Sequence, residues 1–149
     1  GTDIESHQVA LANGGSTVVV LAEGIGTAPA RRFDGLLETG RAAVVSTFLP
    51  DAPWETWRAM DRNRTILGLC DRLTVIEAGV RGGTLAAGRE ALDAGIPTWV
   101  LDYADPPESA AGNRLLIEQG AHPIPVGDGL VIPPELFAIN GWVVNRVRV

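Results

Sequence analysis

The sequence predicts an α/β protein of the three-layer, Rossmann-like type, with a mostly parallel sheet and helices on both faces. Short apolar runs alternate with stretches of helical spacing, and the connections between them are short. The run Leu73–Glu77 is apolar on both faces, as a strand covered by helices must be. The chain opens with a helical pattern, so a five-stranded doubly wound sheet and a fold that lacks its leading strands both fit.

The elements follow in chain order from their periodicity and from their stop signals. A first helix over residues 3–13 ends at Asn13-Gly14-Gly15. The predicted strands are Thr17–Ala22, Ala42–Thr47, Leu73–Glu77, Pro97–Leu101 and a short one near His122–Pro125. The other predicted helices are residues 29–39, Trp54–Leu69, Leu85–Ala94 and Ser109–Gln119. These elements form one domain over residues 1–125. The extension 126–149 ends in an alternating segment that is either an edge strand or a partner contact.

Composition sets the class of protein. The 149 residues are 46% hydrophobic and correspond to about one domain. No apolar run reaches the ~18–20 residues of a membrane span, and residues 1–5 do not resemble a leader, so we expect a cytoplasmic protein that does not enter a membrane. The single cysteine, Cys70, excludes an internal disulfide and a cysteine-rich metal site, and we expect it to be a buried thiol.

The charge restricts how the chain could bind a polyanion. The net charge is −6, and every basic residue is an arginine. Such a chain does not attract a polyanion at long range. Any nucleic-acid binding must come from a local arginine cluster and from backbone amides, which counts against tight nonspecific duplex binding.

A glycine-rich turn follows the strand Leu73–Glu77. It contains three glycines, and Thr84 is placed to cap a helix from Leu85. Glycine lets backbone N–H groups approach a ligand, and a helix N-terminus carries partial positive charge. Gly82, Gly83 and Thr84 therefore predict an anion site, most often for phosphate; a plain tight turn is the alternative.

The arginines of the preceding helix could serve the same ligand. In parallel sheets ligands bind at the carboxyl ends of the strands, and the loops there are Glu23–Thr27, Thr47–Pro53, Ala78–Thr84 and Asp102–Pro107. Arg62 and Arg64 are two residues apart, about 200° around a helix, so we expect one to reach the ligand and the other to pair with a carboxylate. For Asn63, ligand contact and structural bonding stay open.

Other conspicuous residues favour structural explanations. His7 and His122 are far apart in sequence, so neither a metal site nor a histidine catalytic pair is expected. The acidic loop Asp102–Pro107 is expected to be solvated. For Trp54 and Trp57, three apart on a helix, we favour core packing over base stacking.

Five motifs in order resemble the DprA/Smf family of DNA-processing proteins over residues 1 to about 125. They are Gly1-Thr2-Asp3 with His7, Gly14-Gly15-x-Thr17, Arg62-Asn63-Arg64-x-Ile66-x-Gly68-Leu69, Ile76-Glu77-Ala78 with Gly82-Gly83-Thr84-Leu85, and Gly112-Asn113-Arg114-Leu115-Leu116-Ile117 with Gly120-Ala121. The family's first strands are absent from this chain, so we expect an N-terminally incomplete domain. An aromatic-proline pair of the family is Ala59-Met60 here.

The resemblance implies a Rossmann-like domain that binds single-stranded DNA and helps to load the RecA recombinase during natural transformation, without established catalysis and without a cofactor. It implies a recombinase partner, and we expect a homo-oligomer. The residues predicted to bind nucleic acid or a nucleotide are Arg58, Arg62, Asn63, Arg64, Gly82, Gly83, Thr84, Asn113 and Gly24, with Trp57 as a stacking surface.

Two alternatives remain from the sequence. One is a nucleotide-binding sensor of the wider Smf/DprA–LOG superfamily, which the acidic charge favours. The other is a LOG-type phosphoribohydrolase. That enzyme needs a glutamate where Ala87 stands, so we expect no catalysis by that route.

Overall fold

The computed structural model describes residues 2–27, 33–127, 132–139 and 142–143. The chain divides into two compact units, Gly1–Gly68 and Leu69–Val149. Each unit contains parallel strands that are joined through helices, as short apolar runs alternating with helical segments require.

The first unit is built on a parallel pair of strands. Its elements are α1 (Thr2–Ala12), β1 (Thr17–Val20), α2 (Asp34–Leu37), β2 (Ala42–Val45) and α3 (Thr56–Leu69), the last of which runs to the unit boundary. The register of β1 and β2 runs from Thr17 opposite Ala42 to Val20 opposite Val45. Its buried centre consists of Val19, Leu21 and Phe33.

The second unit is built on three parallel strands. Its elements are β3 (Leu73–Val75), α4 (Gly83–Asp93), β4 (Thr98–Tyr103), α5 (Asn113–Glu118), β5 (His122–Val126), β6 (Ala138–Ile139) and β7 (Trp142–Val143), with short 3-10 turns at Glu108–Ala110 and Pro134–Phe137. Strand β4 lies between β3 and β5, and β6 pairs antiparallel with β7. The core consists of Val75, Ala78, Leu85, Val100, Leu116 and Ala121.

The predicted α/β class is confirmed, and all five predicted strands form near their predicted positions. Among the described residues they hydrogen-bond as a pair and a trio rather than as one continuous ladder. The predicted helix 29–39 is described only at α2, because residues 28–32 lie outside the described part of the chain. Most of the alternating segment 142–149 lies outside it too. The domain boundary at residue 125 stays a prediction.

Two predicted helix boundaries were wrong. The prediction that Thr84 caps a helix from Leu85 fails, because α4 already begins at Gly83 with Gly82 as its N-cap. The helix predicted over Ser109–Gln119 is divided into a 3-10 turn and α5. The backbone of Gly112 interrupts it, since its N–H donates to Ala78 O at 2.7 Å instead of continuing a helix.

Candidate nucleic-acid interface

The glycine turn after β3 leads into the N-terminus of α4, where no side chain forms a capping hydrogen bond. Gly82, the N-cap of α4, has φ +115° and ψ −177°, a conformation that a side chain rarely tolerates. A Cβ built there meets nothing within 4 Å, so the glycine is required by conformation rather than by crowding. Thr84 is exposed in the first turn of the helix. N–H groups of a first turn and the helix dipole together favour an anion at this place.

Asn113 holds the chain that leads into this turn. Its side chain is 3% exposed. Its Oδ1 accepts a hydrogen bond from Ala78 N at 2.7 Å, and its Nδ2 donates to Ile76 O and to Leu101 O, each at 2.8 Å. One amide thereby joins the ends of β3 and β4 to the start of α5. These bonds give Asn113 a visible structural role, and the ligand contact predicted for it stays a prediction.

Gly112 allows this close packing. A Cβ on Gly112 would lie 2.8 Å from Ala78 O and closer still to Gly79 O. Real Cβ atoms do not approach backbone oxygens so closely, so the loop after β4 can lie against the turn after β3 only with glycine at this position.

A carboxylate and a phenol lie at the ends of β3 and β4, beside the glycine turn. Tyr103 ends β4, and Glu77 follows β3. Burial raises the pKa of the Tyr103 phenol, and the neighbouring Glu77 carboxylate raises it further. Glu77 itself is exposed. The sequence pattern had drawn attention to Glu77 as a strand end but not to Tyr103, because the pairing depends on β3 and β4 being neighbours.

In the first unit, Arg62 lies at the carboxyl end of β1. One of its terminal nitrogens donates to Val20 O at 2.9 Å, and the side chain is half-buried. Its Nε is buried and has no hydrogen-bond partner among the described residues. The strand end is where ligands bind in this type of sheet, and the ligand contact predicted for Arg62 stays a prediction.

Arg64 points in another direction, as the predicted angular separation requires. Its side chain is 72% exposed and forms an ion pair with Asp61 at 3.6 Å. An exposed pair of this kind is worth little, so the guanidinium can exchange the carboxylate for a phosphate at small cost. Asn63, between the two arginines, is half-buried.

Arg58 and Trp57 contact each other at the start of α3, and hydrogen bonds hold both side chains in place. Arg58 donates to Pro53 O and to Glu55 Oε1, the latter at 3.1 Å. Its guanidinium carbon lies 4.7 Å from the centroid of the Trp57 ring, and the Trp57 Nε1–H donates to Glu55 Oε2. Phe48 and Trp57 pack in a T-shaped arrangement, with ring centroids 6.0 Å apart at 88°. The expectation of core packing for Trp54 and Trp57 was wrong, because both are more than half exposed.

Gly24 has a packing role in this structure. Its N–H donates to Ala52 O at 2.8 Å, and a Cβ there would overlap Leu49 O and Pro50 O. The close approach of the loop after β2 explains the glycine. The ligand contact predicted for Gly24 stays a prediction.

The remaining conspicuous residues have internal contacts. His7 Nδ1 lies 2.6 Å from Thr17 Oγ1, and His122 stacks on Trp99 across the β4–β5 pair at 4.8 Å. Burial raises the pKa of the Cys70 thiol. Within the described ranges, no three His, Cys, Asp or Glu side chains are grouped to hold a metal ion. No helix in that part of the chain has the length and apolarity needed to cross a bilayer.

The predicted binding residues fall into two sets. Arg58, Arg62, Asn63, Arg64, Gly24 and Trp57 belong to the first unit, and Gly82, Gly83, Thr84 and Asn113 belong to the second. Arg62 contacts the end of β1, and Gly82, Gly83 and Thr84 follow the end of β3. That both sets receive one ligand stays a prediction.

The fold is that of a Rossmann-like α/β protein. The sequence model of the DNA recombination-mediator protein A family matches residues 1–131, and the chain belongs to that family. It is 36% identical to Protein Smf of Escherichia coli K12 over 125 residues, which are 81% of this chain and 33% of that protein. It is 29% identical to the DNA processing protein DprA of Streptococcus pneumoniae R6 over 139 residues, which are 88% of this chain and 47% of that protein.

Solved structures agree on the fold. The X-ray structure of DprA from Streptococcus pneumoniae superposes with a TM-score of 0.71 at 28% identity, covering 83% of this chain and 44% of that one. A structure of DprA from Helicobacter pylori, described for its single-stranded DNA binding mode, has a TM-score of 0.60 at 20% identity over 72% of this chain and 50% of that one, and shows the fold alone. The chain therefore spans a third to a half of the relatives that it matches.

Proposed function

We propose that this chain binds single-stranded DNA and acts in DNA processing and recombination. The observation that carries the proposal is the N-terminus of α4 after Gly82, where no side chain caps the helix and the described residues place no atom within 4 Å of the Gly82 Cβ position. Membership of the DNA recombination-mediator protein A family supports the choice of nucleic acid over other anions. The Helicobacter pylori relative is described as a single-stranded DNA binder.

In the first unit, the arginines of α3 supply positive charge of their own. The chain is acidic overall, so attraction must be local. Arg64 offers an exposed guanidinium, and Arg62 offers one at the end of β1. Guanidinium groups bind phosphate through paired N–H donors, which suits a flexible single strand.

The proposal is for binding without catalysis. Ala87 lies within α4, at the position where the LOG-type enzymes carry a glutamate, and its methyl group cannot transfer a proton. Release of free base from a nucleoside monophosphate by the purified chain would contradict this part of the proposal.

Fluorescence anisotropy of a labelled oligo-dT at low salt tests the proposal. The wild-type chain should bind, and Arg62→Ala/Arg64→Ala should weaken binding by about tenfold or more, since each lost phosphate contact removes a charge-assisted bond. Arg89→Ala is the matched control, because Arg89 is an exposed helical arginine whose Nε donates to Gln119 Oε1. A flat wild-type titration would reject single-stranded DNA as the ligand.

A nucleotide ligand is the second candidate, and the acidic charge of the chain favours it. A helix N-terminus needs only one phosphate group to be filled. A thermal shift with mononucleotides or cyclic nucleotides, together with flat DNA titrations, would select this candidate.

Because the chain belongs to this family, the proposal also includes self-association of the chain and binding to a recombinase partner. Light scattering coupled to size exclusion tests the first, and co-sedimentation of the chain with a RecA-type recombinase on single-stranded DNA tests the second. A monomer at all concentrations would contradict self-association. A chain absent from the recombinase pellet would contradict the recombinase partner.

A further inference from the structure

We propose that Glu77 and Tyr103 hydrogen-bond the Watson–Crick edge of one unpaired base in the bound strand and select guanine. The inference rests on the proposed function and adds base selectivity to phosphate binding. Both side chains belong to the second unit, where they lie at the ends of β3 and β4 beside the glycine turn.

The backbone holds the two side chains at the same end of the sheet. Strands β3 and β4 are parallel neighbours, so the residues that follow them lie at one edge. Asn113 Nδ2 donates to Ile76 O and to Leu101 O, each at 2.8 Å. These two bonds fix the backbone one residue before Glu77 and two residues before Tyr103.

Neither side chain is used inside the described part of the chain. Glu77 is exposed and Tyr103 is half-buried, and within the described ranges neither side chain forms a hydrogen bond or an ion pair. By contrast, the carboxylates of Glu55, Asp61 and Glu118 each pair with an arginine. The ends of β3 and β4 therefore offer a ligand one carboxylate acceptor and one phenol donor.

The charge at this edge favours a base over a phosphate. Glu77 and the half-buried Asp102, which precedes Tyr103, would both repel a phosphate placed against them. Burial and the Glu77 carboxylate raise the pKa of Tyr103, so the phenol keeps its proton and acts as a donor. Because DNA lacks a 2′-hydroxyl, the base is the part of the nucleotide that donates to Glu77.

Guanine matches this pair best, because its edge offers one acceptor followed by two donors. The carboxylate of Glu77 accepts from N1–H and N2–H together while the Tyr103 phenol donates to O6, which gives three hydrogen bonds. Adenine, cytosine and thymine each offer one acceptor beside one N–H group, which gives two bonds and leaves one carboxylate oxygen without a base donor. Bidentate contacts of this kind discriminate between bases.

The phosphate site proposed at α4 is close to this pair along the chain. Five residues lead from Glu77 to Gly82, at most about 17 Å even if fully extended. Arg81 is exposed within the turn and adds positive charge beside the helix start. A bound strand would therefore place a phosphate at the turn and a base against Glu77 and Tyr103.

The test uses the full chain and fluorescence anisotropy with four oligomers of equal length and charge. One is all thymidine, and the others carry a single central deoxyguanosine, deoxyadenosine or deoxyinosine. Wild type should bind the deoxyguanosine oligomer about fivefold or more tightly than the all-thymidine oligomer. Deoxyinosine, which lacks the N2 amine, should lose most of this gain, and deoxyadenosine should give little of it.

Two isosteric variants assign the preference to these side chains. Glu77→Gln replaces one acceptor by a donor and should abolish the preference for guanine, and Tyr103→Phe keeps the ring, removes the O–H and should reduce the preference. The readout is the ratio of the two affinities within each variant, so a change in overall charge or binding strength cancels. Glu118→Gln, at an exposed carboxylate on α5, is the matched control and should keep the wild-type ratio.

The remaining outcomes separate this inference from the proposed function. Equal affinity of wild type for the guanine and thymidine oligomers, or equal gains from guanine and adenine, would reject guanine selection while DNA binding stands. A preference that persists unchanged in Glu77→Gln would assign it to other residues and reject the role given to this pair. If wild type binds none of the oligomers, the proposed function has failed and this inference fails with it.

Discussion

The amide oxygen of Asn113 accepts a hydrogen bond from the backbone N–H of Ala78 across 2.7 Å. This bond fixes the chain immediately before the glycine turn, while the same side chain holds the end of β4 through Leu101 O. The location of the proposed phosphate site thus depends on a buried group that need not touch the ligand.

Replacing this side chain should destabilise the fold. Asn113→Ala leaves three backbone groups without this partner, two of them in buried bonds, and we expect a loss of about 3 kcal/mol or more in the free energy of unfolding. Urea denaturation measures it. Asn13→Ala is the control, because Asn13 is exposed and donates only to Val9 O at the end of α1, and it should change stability by about 0.5 kcal/mol or less. Equal losses in both variants would contradict the role given to Asn113.

A methyl group at Gly112 should be more harmful than its size suggests. The added Cβ would overlap Gly79 O, so the loop after β4 must move away from the turn, at a cost of about 3 kcal/mol or more. Gly68→Ala is the opposite case, because Gly68 lies in α3 with nothing within 4 Å of its Cβ position. It should stabilise the protein by about 0.5–1 kcal/mol. Thermal melts compare the two, and a tolerated Gly112→Ala would disprove the packing described here.

Tyr103 is the only tyrosine, so ultraviolet titration of tyrosinate reports on it alone. Its pKa should lie above the ordinary value near 10.0, from burial first and from Glu77 second. The folded phenol therefore keeps its proton where the unfolded one loses it. The free energy of unfolding should consequently fall as the pH rises from the ordinary tyrosine value toward the folded one.

Glu77→Gln should lower the Tyr103 pKa but leave it above the ordinary value, since burial remains. Glu118→Gln, an exposed carboxylate on α5, is the control and should not move the titration. An unchanged titration in Glu77→Gln would mean that the two side chains are not neighbours at the end of the strands.

Much of the fold follows from local patterns, because runs such as Thr17–Val20 must be covered on their apolar faces. The internal role of Asn113 could not be predicted, since its partners lie 12, 35 and 37 residues away in sequence. The exposure of Trp54 and Trp57 was missed for a related reason: two aromatics three apart look the same whether their face meets a core or solvent. The direction of Arg62 and Arg64 was predictable, since helix geometry alone separates them.

At the start of α4, the backbone conformation of the turn determines the helix boundary, and the capping propensity of a side chain does not. Thr84 is a good capping residue, but the chain enters the helix two residues earlier through Gly82 at positive φ. Only glycine adopts that conformation readily, so the turn conformation rather than side-chain capping places the helix tip.

The salt dependence of oligo-dT binding tests the central claim most directly. Single-stranded DNA binding loses affinity on a log–log plot with a slope of about −0.7 for each neutralised phosphate. The slope for wild type should be steeper than about −0.7, which corresponds to more than one neutralised phosphate. Arg64→Ala should reduce the magnitude of the slope by about 0.7, and Arg89→Ala should leave the slope unchanged. Binding that is absent, or equally salt-dependent in wild type and Arg64→Ala, would contradict the account.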